Sequence, residues 1–334
     1  MFAPGANKVT RLVRSPPRQR VQRPARDLGR LSSEAPPLRE QTDGMPPPPA
    51  IAAVAAPFGR DIDVGLRTIE QSVAAAAAQG AGLVVFPESA LGGYLREPLP
   101  GEPGPELPVA LDPDGPEIAA LIALAGDTVV CAGYTEAGAG GRRYAAAVCV
   151  DGSGVLGRHR KVHLPPGERF AYTAGDRFAA FDTPAGRIGM LICYDKLFPE
   201  ASRALALDGA DIIASMAAWP VCRRRPARRI AQDRQTRHFN LTDVTRAVEN
   251  QVVWVSSNQT GTLGPLRFLG NAKIVDPDGV VLARTGGSAG MALAHVDAAV
   301  AVRESRAGID HLGDRRPEAY ALAEAPAPAA AAVR

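Results

Sequence analysis

The chain has 334 residues and a mass of 34.9 kDa, and is 46% hydrophobic and 22% charged, enough to bury a large core as one layered domain or two ordinary ones. Its net charge is +3, yet residues 1–49 hold nine basic side chains against four acidic ones, a net of +5, so the remainder carries −2. A near-neutral body argues against nucleic-acid binding, and no apolar run approaches the length of a membrane span.

Residues 1–49 contain ten prolines and no apolar periodicity, so they are expected to form a disordered Arg/Pro-rich extension. The same composition is compatible with an organellar transit peptide, and a translation start at Met45 is a third reading. The ordered domain is expected over 50–310, followed by a tail over 311–334 that is Ala/Pro-rich at its end. Ile51–Ala56 reads as the first strand. Ile62, Leu66, Ile69 and Val73 then recur at helical spacing with Asp61 placed to cap them. Leu83–Phe86 is a strand ending at Pro87-Glu88, Ile118–Leu124 a helix, and Val129–Tyr134 and Tyr144–Val150 are strands. Asp151-Gly152-Ser153-Gly154 is turn chemistry, after which Val155–His163 reads as a strand. Ile188–Ile192 is apolar throughout and stops at Cys193. Pro199 suits the first turn of a helix through Leu207, with Gly209 beyond it. Ile212–Ala217 is a strand, Leu241–Val248 a helix with Leu241, Val244 and Val248 on one face, and Val252–Ser256 a strand. Asp276-Pro277-Asp278-Gly279 closes a late hairpin.

Several strands are apolar on both faces, and strands alternate with helices without a clean βαβ repeat, which favours an α/β architecture of layered sheets covered by helices. Gly152–Gly157 matches G-x-G-x-x-G but lies between two strands, so it reads as a hairpin turn. His159 and His163 flank Lys161 on one expected strand face, with no Asp, Glu or Cys at ligand spacing nearby, which argues against a metal. The four cysteines, at 131, 149, 193 and 222, lack C-x-x-C spacing, so neither a disulfide framework nor a zinc knuckle is expected; a reduced, cytoplasmic setting is the simpler reading. Arg223–Arg225 with Arg228 and Arg229 reads as a solvated loop or as a holder for an anionic substrate or partner.

Three residues carry candidate chemistry. Glu88 ends an apolar strand, where desolvation raises a carboxyl pKa and suits a general base; the alternative is a capping carboxylate. Lys161 is one of only four lysines among 38 basic residues, so a compact ammonium is kept there where arginine is the default; the alternative is chance. Cys193 ends the most apolar strand and precedes a proline-started helix, a setting that exposes a thiol; the alternative is a structural core thiol, as read for Cys131 and Cys149. Together they form an acyl-transfer set of base, cation and nucleophile.

Val84-Val85-Phe86-Pro87-Glu88, Arg160-Lys161-Val162-His163-Leu164-Pro165 and Ile192 through Glu200 resemble the three signature segments of the nitrilase superfamily of carbon–nitrogen hydrolases. Glu168-Arg169-Phe170 before Gly175-Asp176, and Ala247-Val248-Glu249-Asn250 before the Asn258 strand, are similar too, and the likeness runs from about Ile51 to Val296. The resemblance implies a four-layer α-β-β-α sandwich, usually assembled as a homodimer or larger homo-oligomer, with no metal or organic cofactor. It implies Cys193 as nucleophile, Glu88 as acid–base, Lys161 with the backbone N–H of Tyr194 at the oxyanion, and Glu168 orienting the lysine. Trp219, Arg267 and Phe268 fall in segments that often line the family's substrate pocket, and Trp219 and Phe268 are taken as tentative pocket residues. Tyr194-Asp195 after the cysteine is more like the amidase and carbamoylase branches than the Trp-Glu of nitrilases, while Lys196-Leu197 does not match the paired arginines of carbamoyl-D-amino-acid hydrolases. The implied reaction is hydrolysis of a small linear carboxamide to acid and ammonia. A nitrilase or N-carbamoyl amidohydrolase is the near rival, and a catalytically idle interaction subunit the distant one.

Overall fold

The computed structural model describes residues 48–96 and 104–320; most of the expected disordered extension, up to residue 47, and the Ala/Pro-rich end from 321 lie outside the described residues. In chain order, the first half comprises β1 (Ala50–Ala56), α1 (Ile62–Ala77), β2 (Ala81–Val85), α2 (Pro116–Ala125), β3 (Val129–Ala137), β4 (Arg143–Asp151) and β5 (Gly154–Arg160). Then come β6 (Ala180–Thr183), β7 (Gly186–Ile192), α3 (Pro199–Leu207), β8 (Ile212–Ala217), α4 (Arg234–Asn250) and β9 (Val253–Gln259). A small β10–β11 hairpin (Thr262–Leu263, Leu266–Arg267) precedes β12 (Lys273–Val275), β13 (Val281–Arg284), β14 (Gly290–His295) and α5 (Ala298–Gly308).

The main sheet is ordered β5-β4-β3-β2-β1-β9-β8-β7-β6. Strands β1, β2 and β3 run parallel and continue antiparallel through β4 and β5. On the other side of β1, strands β9, β8 and β7 are parallel, with β6 antiparallel at the edge. Strand β14 pairs antiparallel with β1, β12 with β9, and β13 with β12.

Alternation along each strand sorts its side chains into layers. Ile51, Leu83, Cys131 and Cys149 from the first half meet Ile188, Met190, Ile212 and Val255 from the second in one buried core between the two halves of the sheet. The opposite faces are covered by helices. Val54, Val84, Val130 and Val148 pack under Ile69 and Val73 of α1 and Ile118 and Leu121 of α2. Leu191, Ile213 and Trp254 pack under Ala201 and Leu205 of α3 and Ala247 of α4. The layers therefore run α-β-β-α, and strands buried on both faces explain the near-continuous apolar runs. Each fully buried Val, Leu or Ile contributes about 1.5–3 kcal/mol relative to exposure.

Local chemistry sets the boundaries. Asp61 caps α1, its Oδ1 accepting from Val64 N at 2.9 Å. The Gly-rich 152–157 stretch does turn β4 into β5: Asp151 pairs with Gly154, and the Asp151 carboxylate accepts from Ser153 N. Two expectations are corrected. Strand β5 stops at Arg160 and not at His163, because Lys161 N still donates to Ala145 O but its carbonyl receives Gly175 N from the next loop (both 2.8 Å). Helix α4 is twice as long as expected and does not bury Leu241, which is 63% exposed; its inward face is Phe239, Asp243, Arg246, Ala247 and Asn250. That face has helical spacing but is largely polar, so apolar periodicity could not find it.

Candidate active site

Parallel strands β2, β7, β8 and β9 all end on one edge of the sheet, the edge where open α/β sheets gather their functional groups. Glu88 follows β2, Cys193 follows β7, Ala218 and Trp219 follow β8, and Ser257-Asn258-Gln259 close β9. The last three are polar residues in a fully buried strand, and each staples a neighbouring loop. Ser257 Oγ donates to Phe86 O at 2.7 Å, and Gln259 Nε2 donates to Glu88 O at 3.0 Å. Asn258 Oδ1 accepts from Trp219 N at 2.7 Å. Behind the glutamate, Gly133 of β3 leaves room that a Cβ would fill: it would lie 2.7 Å from Glu88 Cα and 2.6 Å from Ser89 N.

Lys161 is completely buried between two carboxylates. Its Nζ donates to Glu88 Oε1 at 2.7 Å and to Glu168 Oε1 and Oε2 at 2.7 and 2.8 Å. The second oxygen of Glu88 accepts from Ala218 N at 2.8 Å, and that N–H also faces the Cys193 sulfur. Glu88, Lys161, Glu168 and Cys193, which sequence reading selected from three distant segments, are thus brought to one place. Burial raises the Glu88 carboxyl above the ordinary carboxylate range against the pull of Lys161. Burial opposes the Lys161 charge, but Glu168 and Glu88 outweigh it and hold the ammonium well above its usual value. Burial, then the Glu88 charge, push the Cys193 thiol up. The resting thiol therefore keeps its proton and needs a base beside it.

Cys193 sits at φ 51°, left-handed backbone that a side-chain-bearing residue adopts at a cost and that recurs at functional turns. What holds it there is the buried carboxylate of Asp195. Its Oδ2 accepts from Ile192 N at 3.2 Å, and its Oδ1 accepts from His163 N at 2.8 Å. The ring nitrogens of His163 and His159 lie 2.9 and 3.2 Å from the same carboxylate. His163 stacks on Phe198 at 3.6 Å between ring centres. The two histidines around Lys161 tie the lysine's loop to the cysteine's turn. Among the described residues no cluster of His, Cys, Asp and Glu could hold a metal ion.

The Asp195 carboxyl stays at about 2, against an ordinary 3.8; burial works against the charge, but hydrogen bonds from His159 and His163 win. With the folded value below the unfolded one, the stabilisation is complete above about pH 4 and is lost as pH falls toward 2. It amounts to about 2 kcal/mol. Asp195→Asn should therefore be less stable than the parent by about that amount at pH 7, and the gap in urea unfolding free energy should close near pH 2. A gap unchanged between pH 7 and pH 2 would remove the carboxylate from this role.

A cavity of about 500 Å³ opens over Cys193 and is lined by Tyr94, Glu168, Tyr194, Trp219, Leu266 and several arginines. Trp219 is where sequence reading put it. Phe268 is not: it packs edge-on to Tyr94 with ring centres 6.0 Å apart and, together with Arg267, lines a second, separate hollow. Tyr94 was missed. Its hydroxyl donates to Glu168 Oε1 at 2.6 Å, and burial raises its pKa well above the usual phenol value. Nothing in Leu91-Gly92-Gly93-Tyr94 marks a tyrosine that will reach a glutamate 74 positions on.

The chain is similar to known proteins over most of its length. The carbon–nitrogen hydrolase family model matches residues 50–304. A nitrilase of Pyrococcus abyssi is 34% identical over 216 residues, spanning 64% of this chain and 75% of its own. An (R)-stereoselective amidase of Pseudomonas sp. is 32% identical over 263 residues, 77% of this chain and 88% of its own. In fold, the carbon–nitrogen hydrolase from Helicobacter pylori G27 superposes with a TM-score of 0.70 at 22% identity, covering 81% of this chain and 97% of that one. An amidase from Nesterenkonia sp. gives 0.66 at 24% identity, covering 81% and 95%. With three-quarters of its length matched by one family, the chain belongs to the carbon–nitrogen hydrolases of the nitrilase superfamily and is an amidase-like enzyme acting on non-peptide C–N bonds.

Proposed function

We propose that the enzyme hydrolyses a small linear carboxamide to its acid and ammonia through a thioester on Cys193. The observation that carries this reading is the Glu88–Lys161–Glu168 chain of buried charges ending beside the cysteine sulfur. Glu88 takes the thiol proton as sulfur attacks the amide carbon. The two Glu168 contacts of Lys161 can share one N–H, so that with Glu88 holding another, the third faces the developing oxyanion beside the N–H of Tyr194. The tetrahedral centre collapses as Glu88 returns its proton to the amide nitrogen, and ammonia leaves. Glu88 then deprotonates a water that attacks the thioester; the second tetrahedral centre releases the carboxylic acid, and the proton returns to sulfur. Glu168 keeps Lys161 charged and aimed, and Tyr94 keeps Glu168 in place. One such oxyanion donor is worth about 3–4 kcal/mol of barrier.

The test is ammonia release from short amides, ureides and nitriles, with Cys193→Ala alongside. Turnover of the amides that falls to background in the variant is expected. Turnover by Cys193→Ala at the parent rate would overturn the mechanism, and a preference for nitriles or ureides would replace the amide.

A further inference from the structure

We propose that Lys196 is a positioning residue for the nucleophile: its ammonium, buried where the cysteine turn, the Trp219 wall of the cavity and α4 meet, holds that turn in place and supports the thiolate as it forms. This rests on Cys193 as the nucleophile of the reading above and adds a group that does not line the cavity.

Positive charge is in surplus at this place. Among the described residues Asp243 is the one carboxylate that pairs with either Lys196 or Lys273, and all three side chains are buried. One lysine would balance it. Arg284, opposite Lys273 in the β12–β13 register, adds further positive charge. Burying an ammonium that has no carboxylate of its own costs stability, and an apolar side chain would fill the same space without that cost. Packing therefore does not explain Lys196. A charge kept against its desolvation cost, three residues from a nucleophile, points to function.

The surroundings connect it to the site. Helix α4 grips the Cys193–Leu197 turn at three points. Asp243 takes Lys196 Nζ at 2.7 Å, and Arg246 donates from Nε to Lys196 O at 2.9 Å and from a terminal nitrogen to Leu197 O at 3.1 Å. The same helix holds the cavity wall. Gln235 Oε1 accepts from Trp219 Nε1 at 2.9 Å, and Phe239 packs edge-on against Trp219 with ring centres 5.8 Å apart. Lys196 Nζ stands 3.2 Å from the centre of Phe239 and 5.1 Å from that of Trp219, so one charge joins both rings to the turn.

The groups facing Lys196 are Asp243 and Arg246 from α4, Lys273 from β12 and the Cys193 thiol of its own turn; neighbouring Asp195 is taken up by His159 and His163. Lysine and cysteine interact across the turn: a thiolate favours the ammonium, and the ammonium favours the thiolate. Burial, opposed by Asp243 and reinforced by Lys273, lowers Lys196 to about 8. The support is therefore present below that pH and is lost above it. Lys161 and Tyr94, held well above their ordinary values, do not titrate there.

The test is the rate at which iodoacetamide alkylates Cys193, followed on its peptide by mass spectrometry, in parent and Lys196→Met from pH 6 to pH 10. Methionine is also unbranched, removes the proton site and leaves Asp243 and Lys273 as a balanced pair. The parent should react about tenfold faster below pH 7, the effect of one pKa unit on a thiolate, and the two proteins should converge above pH 9. A ratio near one throughout overturns the proposal, as does a deficit that is the same at every pH, which is what a merely structural lysine gives. Tryptophan emission is an independent reading, because the chain's two tryptophans, 219 and 254, both contact the cluster. It should titrate near pH 8 in the parent and move to higher pH in Lys273→Met, which removes the repelling charge, and the alkylation profile should move with it. An emission midpoint that stays in place or falls overturns the proposal even where Lys196→Met does not fold. A pH-dependent ratio in a protein that releases no ammonia from any short amide upholds the role of Lys196 and removes the carboxamide reading.

Discussion

Glu88→Gln is expected to keep the fold and to lose turnover by about 10²–10⁴-fold, the usual contribution of a positioned acid–base group. The side chain is isosteric and almost fully buried, so packing is preserved. Its two oxygens, however, accept from opposite sides, one from Lys161 Nζ and the other from Ala218 N. A glutamine amide has only one oxygen, so its NH₂ must face one of these donors. That mismatch costs about 1–3 kcal/mol, offset in part because a buried charge is removed. Chemistry suffers more. The Cys193 thiol is held up by burial and, without Glu88, has no base to take its proton. The pH profile separates this from simple misfolding. A base acts only when deprotonated, and burial raises the Glu88 carboxyl, so parent activity should fall on the acid side at a pH above that of an ordinary carboxylate. The residual rate of Glu88→Gln should lack that limb. A variant within tenfold of the parent and with the limb intact would show that another group is the base.

Asp243→Asn is expected to destabilise the folded protein by about 3–5 kcal/mol, the cost of stripping buried cations of their partner. Asp243 on α4 is fully buried and accepts from Lys196 Nζ at 2.7 Å, from Trp254 Nε1 at 3.0 Å, and from Lys273 Nζ. Two ammonium groups therefore share one carboxylate, softened by the ring of Phe239, whose centre lies 3.2 Å from Lys196 Nζ and 4.2 Å from Lys273 Nζ, and by that of Trp219, 5.1 Å from Lys196 Nζ. Burial already lowers Lys196 to about 8, against an ordinary 10.5, even with Asp243 in place. Because that folded value is depressed for a cation, the protonated form is penalised below pH 8, and the penalty is relieved as pH rises toward 10.5. The asparagine variant should accordingly be weakest near neutral pH and recover part of its stability in alkaline solution, read by urea unfolding from pH 7 to pH 10. Loss of less than about 1 kcal/mol at pH 7 would mean that the lysines are neutral in the folded protein.

Much of the architecture was legible along the chain because it depends on local rules. Apolar runs of strand length, the Asp61 cap, Pro199 at a helix start and the Asp151–Gly154 turn each act within a few residues, and each boundary falls within about three residues of its expected place. Glu88 and Cys193 were legible for a related reason: each stands just beyond an apolar strand end, marked by an abrupt change to polar chemistry, whereas Lys161 stood out as a rare lysine and Glu168, eight residues past β5, through the family resemblance alone. The polar face of α4 was not, because Asp243, Arg246 and Asn250 look like solvent-facing residues until Lys196 and Lys273, the carbonyls of Lys196 and Leu197 and the Ser202 hydroxyl that pair with them are folded in from 30 or more positions away. Tyr94, Asp195 and the paired histidines were hidden in the same way. Linear order carries hydrophobic period, caps and turns; partners for buried polar atoms come from distant segments, and in this protein that long-range pairing aims the lysine, strains the cysteine turn and gathers the arginines over one cavity.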